Sequence, residues 1–441
     1  MGTFFLVLYL VFTGLAVVLG VLVALQTWEH RRFARSRMRY VRHHPEKGPA
    51  VIVVPCRGLD EDVEENLRTL FCQNYSDYEV RFVVESVDDP IVPVIRRLMA
   101  SHPQVRSQLF VAGRAVACGQ KVHNLRIATA HLPDRVQYLA FADSDARLRR
   151  QWLRALVSQL DDPNVGASTG YRWFVPTRPS LANRLLYSIN TSVAAFFGLH
   201  SPTVVWGGSW AMRRELFESL GLRHAWKGTV SDDLVVSGLL RREGLRVVFE
   251  PACMVTSPLN TTPAQLFSFV RRQYLMGRFY LPRWWALALV LTTLSTLPLA
   301  ASLGLLAWHL ATGSVWAWLS AGLTGLLYGL GVLAGLFRQD LVQVYCPQLY
   351  DRLRGARRFE VWAGPLVGLA NWIELFGSTF GRRITWRGIG YCLAGDGQVT
   401  RMWRVEPEPT PHTARTGERE PSEELPALPR AALPSQCAKA A

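Results

Sequence analysis

Cysteine in a metal-holding or cross-linking pattern is what this sequence most plainly lacks. Its seven cysteines (Cys56, Cys72, Cys118, Cys253, Cys346, Cys392 and Cys437) are scattered, with no Cys-x-x-Cys pair. That spacing argues against a zinc site or a disulfide framework, and for reduced thiols. No internal repeat is visible, which excludes a repeat architecture. The first apolar run has no basic residues ahead of it and no small-residue cleavage site behind it. A cleaved secretory leader is therefore not expected, and the run reads as an uncleaved anchor. Acidic charge is in the minority, with 34 Asp and Glu against 49 Lys and Arg, for a net charge of +15.

What the chain has in quantity is clustered apolar sequence. Of 441 residues, 49% are hydrophobic. Residues 3–26 are almost wholly apolar and long enough to cross a bilayer, as are 284–310 and 315–337. A fourth run, 361–380, contains Gly364-Pro365, Asn371 and Glu374. It reads either as a span or as a re-entrant or interfacial segment. Directly after the first run come Arg31, Arg32, Arg35, Arg37, Arg39 and Arg42. The positive-inside rule puts this segment, and the domain after it, in the cytoplasm. The basic charge then suits anionic headgroups. Because the arginines flank membrane segments, lipid is the expected partner and nucleic acid is not.

Between the apolar runs, strands and helices alternate. Residues 50–55, 79–85 and 108–112, and the stretch ending at Asp143, read as strands. Residues 61–73, 90–100 and 121–131 read as helices. This order predicts an α/β fold with a doubly wound, mostly parallel sheet, plus transmembrane and interfacial helices. Residues 180–199 read as an apolar core or interfacial helix. Residues 263–281 read as an amphipathic helix on the membrane, with Arg271 and Arg278 snorkelling. After residue 404 the composition is rich in Pro, Glu, Ala and Thr, and disorder is expected.

The densest chemistry is Asp143-Ser144-Asp145 at the end of an apolar strand. Open α/β sheets bind ligands at the carboxyl ends of their strands. Two acids that close need a positive partner, which suggests Mg²⁺ or Mn²⁺ held with a substrate diphosphate. A helix cap is the plain alternative. Pro55-Cys56-Arg57-Gly58 is a strand running into a loop able to approach a nucleotide. Glu85, Asp88 and Asp89 end the second strand, and Lys121 and Asn124 offer phosphate and polar contacts. Asp232-Asp233 opens a helix, where the pair reads either as a cap or as the source of a general base. Arg272 suits a departing diphosphate.

In this order, and with this membrane layout, these pieces resemble the membrane-bound family 2 and family 21 glycosyltransferases. The resemblance runs from about residue 51 to residue 393. It also takes in Gly207-Gly208-Ser209-Trp210-Ala211-Met212-Arg213 and Ile384-Thr385-Trp386-Arg387-Gly388. It implies a GT-A-like domain that binds a UDP-hexose with a divalent metal and inverts the anomeric centre onto a lipid hydroxyl. Under it, Asp88 or Asp89 binds the nucleotide and Asp143 and Asp145 take the sugar phosphate and metal. Asp233 is the base and Arg272 a catalytic cation. Pro55, Arg57, Gly58, Glu85, Lys121 and Asn124 complete the nucleotide-sugar site, and Gly208, Ser209, Trp210, Asp232 and Gln273 face the acceptor. The family's Q/R-x-x-R-W motif is altered, with Phe269 first and Gln273 in place of the tryptophan, which puts a long glycan product in doubt.

The expected layout is an anchor (1–27), a basic segment (28–48), a cytoplasmic catalytic domain (49–261) and an interface helix (262–283). A membrane region (284–380), a membrane-proximal Trp-Arg segment (381–404) and a tail (405–441) follow. The expected setting is a bacterial inner (plasma) membrane. A processive polysaccharide synthase and an inactive membrane scaffold are the competing readings.

Overall fold

The computed structural model describes residues 2–40, 45–60, 62–198 and 203–404. Arg42 and the tail 405–441 lie outside the described residues.

Seven strands form the central sheet: β1 (Ala50–Pro55), β2 (Tyr78–Val84), β3 (Arg106–Val111), β4 (Tyr138–Ala142), β5 (Val165–Thr169), β7 (Ser209–Arg213) and β8 (Arg246–Phe249). β6 (Arg172–Pro176) and β9 (Val255–Leu259) pair separately. The order is β3-β2-β1-β4-β7-β5-β8, and β7 alone runs antiparallel to its neighbours. The mostly parallel α/β sheet expected from the sequence is therefore present. β1 shows why: Ile52 and Val54 enter one apolar cluster, while Val51 and Val53 enter another on the opposite face. A strand buried on both faces reads as a continuous β-branched run, not an alternating one.

The membrane side is built from helices. Gly2–Tyr40, Pro282–Ala311 and Ala317–Tyr345 are each long and apolar enough to cross a bilayer. The first has 39 residues, about 58 Å at 1.5 Å per residue, roughly twice a hydrocarbon core. Anchor and basic segment are thus one unbroken helix up to Tyr40. Its basic end is fixed to the third of these helices by an Arg31–Asp340 ion pair and a 2.6 Å His30–Tyr345 hydrogen bond.

The fourth apolar run is broken. Arg354–Trp362 and Gly364–Gly377 are separate helices, parted at Ala363. The second has 14 residues, about 21 Å, too short to cross. The re-entrant or interfacial alternative therefore fits, with Pro365 in the first turn, where proline's missing N–H costs nothing.

Pro263–Tyr280 is helical, where the sequence predicts an interface helix, and is opened by a Thr262/Gln265 capping box. Arg271 and Arg278 do not snorkel, however. Arg271 donates to the carbonyls of Gly377 (2.7 Å) and Phe380 (2.8 Å), and Arg278 to that of Ser378 (2.7 Å). Both cap the carboxyl end of the short helix, where orphan carbonyls and the dipole attract cations.

Beyond it, β10 (Arg383–Trp386), β11 (Ile389–Leu393) and β12 (Val399–Arg404) form a small antiparallel sheet. This sheet packs on the interface helix through Leu275, Met276, Phe279, Ile384 and Tyr391.

Candidate active site

β1 and β4 lie side by side and end together, so the loops after Pro55 and Ala142 open on one side. Between those loops, the interface helix and the β10–β11 hairpin lies a cavity of about 300 Å³. Pro55, Arg57, Lys121, Asn124, Asp143, Asp145, Arg272 and Gln273 line it, all singled out from the sequence. Cys56, Gln120, Ser144, Arg172, Phe269, Trp386, Arg387 and Tyr391 complete the wall.

One side of the cavity is acidic. Asp143 lies 2.8 Å from the Lys121 ammonium, which also reaches Asp232 at 3.3 Å. Burial lowers the Lys121 pKa, but Asp143, Asp232 and Asp233 outweigh it and hold the group above its ordinary value. Asp145 is raised by burial and by Asp143, with Arg172 pulling the other way from 4.0 Å.

The other side is cationic. Arg272 lies over the rings of Phe269 (5.1 Å) and Trp386 (5.5 Å), and Arg172 over Trp206 (5.0 Å) and Phe174 (5.1 Å). Burial, then Arg172 and Arg387, lower the Arg272 pKa to about 10, so it stays charged at neutral pH. Arg387 donates to both oxygens of Asp60 (3.1 and 2.7 Å) and to the Arg57 carbonyl (3.0 Å). Arg172, Arg272 and Arg387 are thus gathered around one cavity despite their mutual repulsion.

Other expected residues act behind this wall. Asp89 Oδ1 accepts from the amides of Gly58 (2.9 Å) and Ile91 (3.0 Å), and so fixes the loop after β1. Glu85 pairs with Arg404 (2.7 Å) and Arg57 (3.6 Å). Asp88 is exposed and bonds within its own turn to Ser86 (3.1 Å). None of the three lines the cavity itself; Asp89 and Glu85 hold the loop after β1 that does line it.

Two acceptor-side residues are corrected outright. Trp210 is fully buried and stacked on Phe141 at 4.2 Å. Ser209 is fully buried, accepting from Trp152 (2.8 Å) and donating to the Cys253 carbonyl (3.2 Å). Both belong to β7, whose side chains pack into the sheet, so neither can touch an acceptor. Asp232 is likewise 1% exposed, and its partner is Lys121.

Gly207 and Gly208 matter through close approach. A Cβ on Gly208 would lie 2.8 Å from Asp143 Oδ2, and one on Gly207 2.8 Å from Lys121 Nζ. Asp233 Oδ2 accepts from the Gly207 amide (2.8 Å), and its Oδ1 from Ser231 Oγ (2.5 Å) and Leu234 N (2.8 Å). Asp233 therefore stands behind Lys121, not on the cavity wall. Each of its oxygens can accept a further bond.

The residues offer a fitting place for a divalent cation. Asp143 and Asp145 share the wall, and the charge of Asp143 adds to burial in raising the Asp145 pKa. Among the described residues no cluster of three His, Cys, Asp or Glu exists. The other ligands would have to come from substrate and water, the usual habit of Mg²⁺.

A model of glycosyl transferase family 21 matches residues 11–399. The chain belongs to glycosyl transferase family 21. The resemblance drawn from its motifs is thereby borne out. Ceramide glucosyltransferase 3 of Caenorhabditis elegans is 35% identical over 97 residues, 21% of each chain. Ceramide glucosyltransferase of Candida albicans is 35% identical over 63 residues, 14% of this chain and 12% of that protein. The matched stretches thus span about a fifth or less of these relatives. A structure of mannosyltransferase PcManGT from Pyrobaculum calidifontis, in complex with GDP-Man and Mn²⁺, aligns with a TM-score of 0.40 and 18% identity. That alignment covers 81% of this chain and 99% of the other.

For this family 21 member, sequence reasoning assigned no role to Arg172 or Arg387. Arg172 is brought to Asp145 by pairing of β6 with β9, some eighty residues away in the chain, and no local signal marks it. Arg387 was visible only as part of the Trp-Arg segment.

Proposed function

We propose that this protein transfers a hexose from a UDP-sugar to the hydroxyl of a membrane lipid alcohol such as ceramide, inverting the anomeric centre. One observation carries the reading. A cavity with paired carboxylates on one wall and Arg172, Arg272 and Arg387 on the other is roofed by the interface helix, which leads directly into membrane-length helices.

The diphosphate suits the three arginines, and Asn124 and the loop at Pro55 and Arg57 suit the rest of the donor. Asp143 and Asp145 would hold Mg²⁺ or Mn²⁺, which when bound neutralises charge on the diphosphate. The lipid oxygen attacks the anomeric carbon as the bond to the diphosphate breaks. The electron pair leaves with UDP, and the hydroxyl proton is assigned to Asp233, whose carboxylate would have to turn from the Gly207 amide into the cavity to take it. Arg272 and Arg387 stabilise the leaving diphosphate in a largely buried setting, where such contacts count most. Aromatic faces against Arg172 and Arg272 hold the guanidinium groups in place before the donor arrives.

The test uses the full-length protein in nanodiscs, incubated with Mn²⁺, a panel of UDP-sugars and total lipid extract. Mass spectrometry is expected to find a hexosylated lipid alcohol with one UDP-sugar. No glycolipid with any donor would overturn the reading.

A further inference from the structure

A second cavity, of about 500 Å³, lies on the membrane side. Residues 16–27 of the first helix, 291–303 and 327–338 of the next two, and the two short helices around Gly364 wall it. Three of these walls are helices long and apolar enough to cross a bilayer, and in a bilayer they would be surrounded by lipid hydrocarbon.

Its chemistry is graded along its length. Gly20 packs on Leu330 and Arg31 pairs with Asp340, so these two helices run in the same direction, towards the catalytic domain. Tyr9 bonds Ser302 at 2.8 Å, so Pro282–Ala311 runs the opposite way. Gln26, Arg338 and Glu360 therefore sit at the domain end, and Ala16, Leu303 and Leu327 lie deeper. Arg338 and Glu360 satisfy one another at 2.6 Å. Gln26 is different: its Nε2 donates to the Ala195 carbonyl, but its Oε1 is buried with no hydrogen-bond partner among the described residues. An orphaned acceptor in hydrocarbon is costly and calls for an N–H or O–H donor.

The two cavities share a partition. Asn371 lines the membrane cavity and accepts a hydrogen bond from Tyr274. The residues just before Tyr274, Arg272 and Gln273, line the polar cavity.

We propose that the membrane cavity holds the hydrocarbon chain of the acceptor lipid. Its amide or hydroxyl donor meets Gln26, and its reacting hydroxyl crosses the Tyr274–Asn371 partition to the sugar. This assignment rests on the lipid-acceptor reading above. A diacyl phospholipid carries N–H or O–H donors only in its headgroup beyond the phosphate, whereas a lipid alcohol presents one next to its hydrocarbon chains, where Gln26 stands, so the cavity suits a lipid alcohol. Moving a chain from bilayer to cavity gains little free energy, because both are apolar. What the cavity supplies is position.

The test is Gly331→Leu. Gly331 lines the cavity within a helix, and a Cβ there meets nothing within 4 Å. Leucine is the better helix former, so the fold is kept while the space fills. Wild type and variant are assayed with long-chain and short-chain ceramides. The expected result is a KM for the long-chain ceramide raised at least about tenfold, with short-chain kcat/KM and UDP-sugar KM within about twofold. Equal loss on both acceptors, or loss on neither, overturns the cavity and leaves it filled by bulk lipid only. A photoreactive long-chain ceramide reads binding without turnover. It should label residues 327–338 in wild type and not in the variant. Labelling without sugar transfer in wild type overturns the transfer reading alone. Labelling elsewhere overturns the cavity.

Discussion

Asp232 and Asp233 are neighbours with opposite surroundings. Asp233 accepts hydrogen bonds from the Gly207 amide, the Ser231 hydroxyl and its neighbour Leu234 N. Asp232 is buried beside Lys121; burial first, then Asp233 and Asp143, push its pKa up to about 7 against the pull of Lys121. A carboxyl raised in the folded state binds a proton more readily than in the unfolded chain. Its contribution therefore favours folding at low pH, and that advantage fades as pH climbs from about 4 through about 7. Asp232→Asn should flatten the pH dependence of Tm across that window; an unchanged slope would show that other groups set it. Asp233→Asn should lower turnover at least about a hundredfold, the low end of general-base effects, with little change in UDP affinity. Asparagine also caps helices well, so a purely structural role predicts near-normal turnover. Turnover and UDP binding lost together would instead make Asp233 part of the nucleotide site.

The hairpin joining β10 and β11 is the element the sequence disclosed least. Arg387 (φ 46°) and Gly388 (φ 72°) occupy both central positions of a two-residue turn. Such turns favour Asn-Gly or Asp-Gly, and Arg-Gly is a weak signal for one. A non-glycine residue at positive φ is a local cost, sustained here by the bidentate pair with Asp60 and the bond to the Arg57 carbonyl. By contrast, β1, β2 and β4 were legible because strands buried on both faces are continuous apolar runs. The position of Asp143 and Asp145 on the cavity was legible because the apolar run before them marks a strand whose carboxyl end opens there. Trp210 was misplaced because a motif reveals its neighbourhood in the chain, not which face of β7 its side chain takes. Arg387→Asn separates the hairpin's two duties. Asparagine tolerates the backbone, so stability should stay within about 1 kcal/mol, as for a part-exposed ion pair. Turnover should fall about tenfold or more, because a cation facing the diphosphate is gone. Unchanged turnover would remove Arg387 from the leaving-group role.

At the scale of the whole molecule, the distribution of arginine decides how the protein sits. Arg31, Arg32, Arg35, Arg37 and Arg39 lie at the domain end of the first helix. Arg338, Arg352, Arg354, Arg357 and Arg358 lie at the matching end of the third membrane-length helix or just beyond it. The turn between the second and third such helices, residues 312–316, carries no charge. Basic segments favour the cytoplasmic side, and on that ground we propose that the catalytic domain lies there and residues 312–316 outside. This orientation also agrees with the proposed chemistry, since nucleotide sugars are cytoplasmic solutes. Two exposed positions test it, Thr312 in the turn and Ser219 on the catalytic domain. Thr312→Cys should react with an impermeant maleimide added to intact cells, above the labelling of the unmodified chain. Ser219→Cys should react only after the membrane is opened. The reverse pattern would place the domain outside, away from its donor, and would overturn both the topology and the UDP-sugar reading that depends on it.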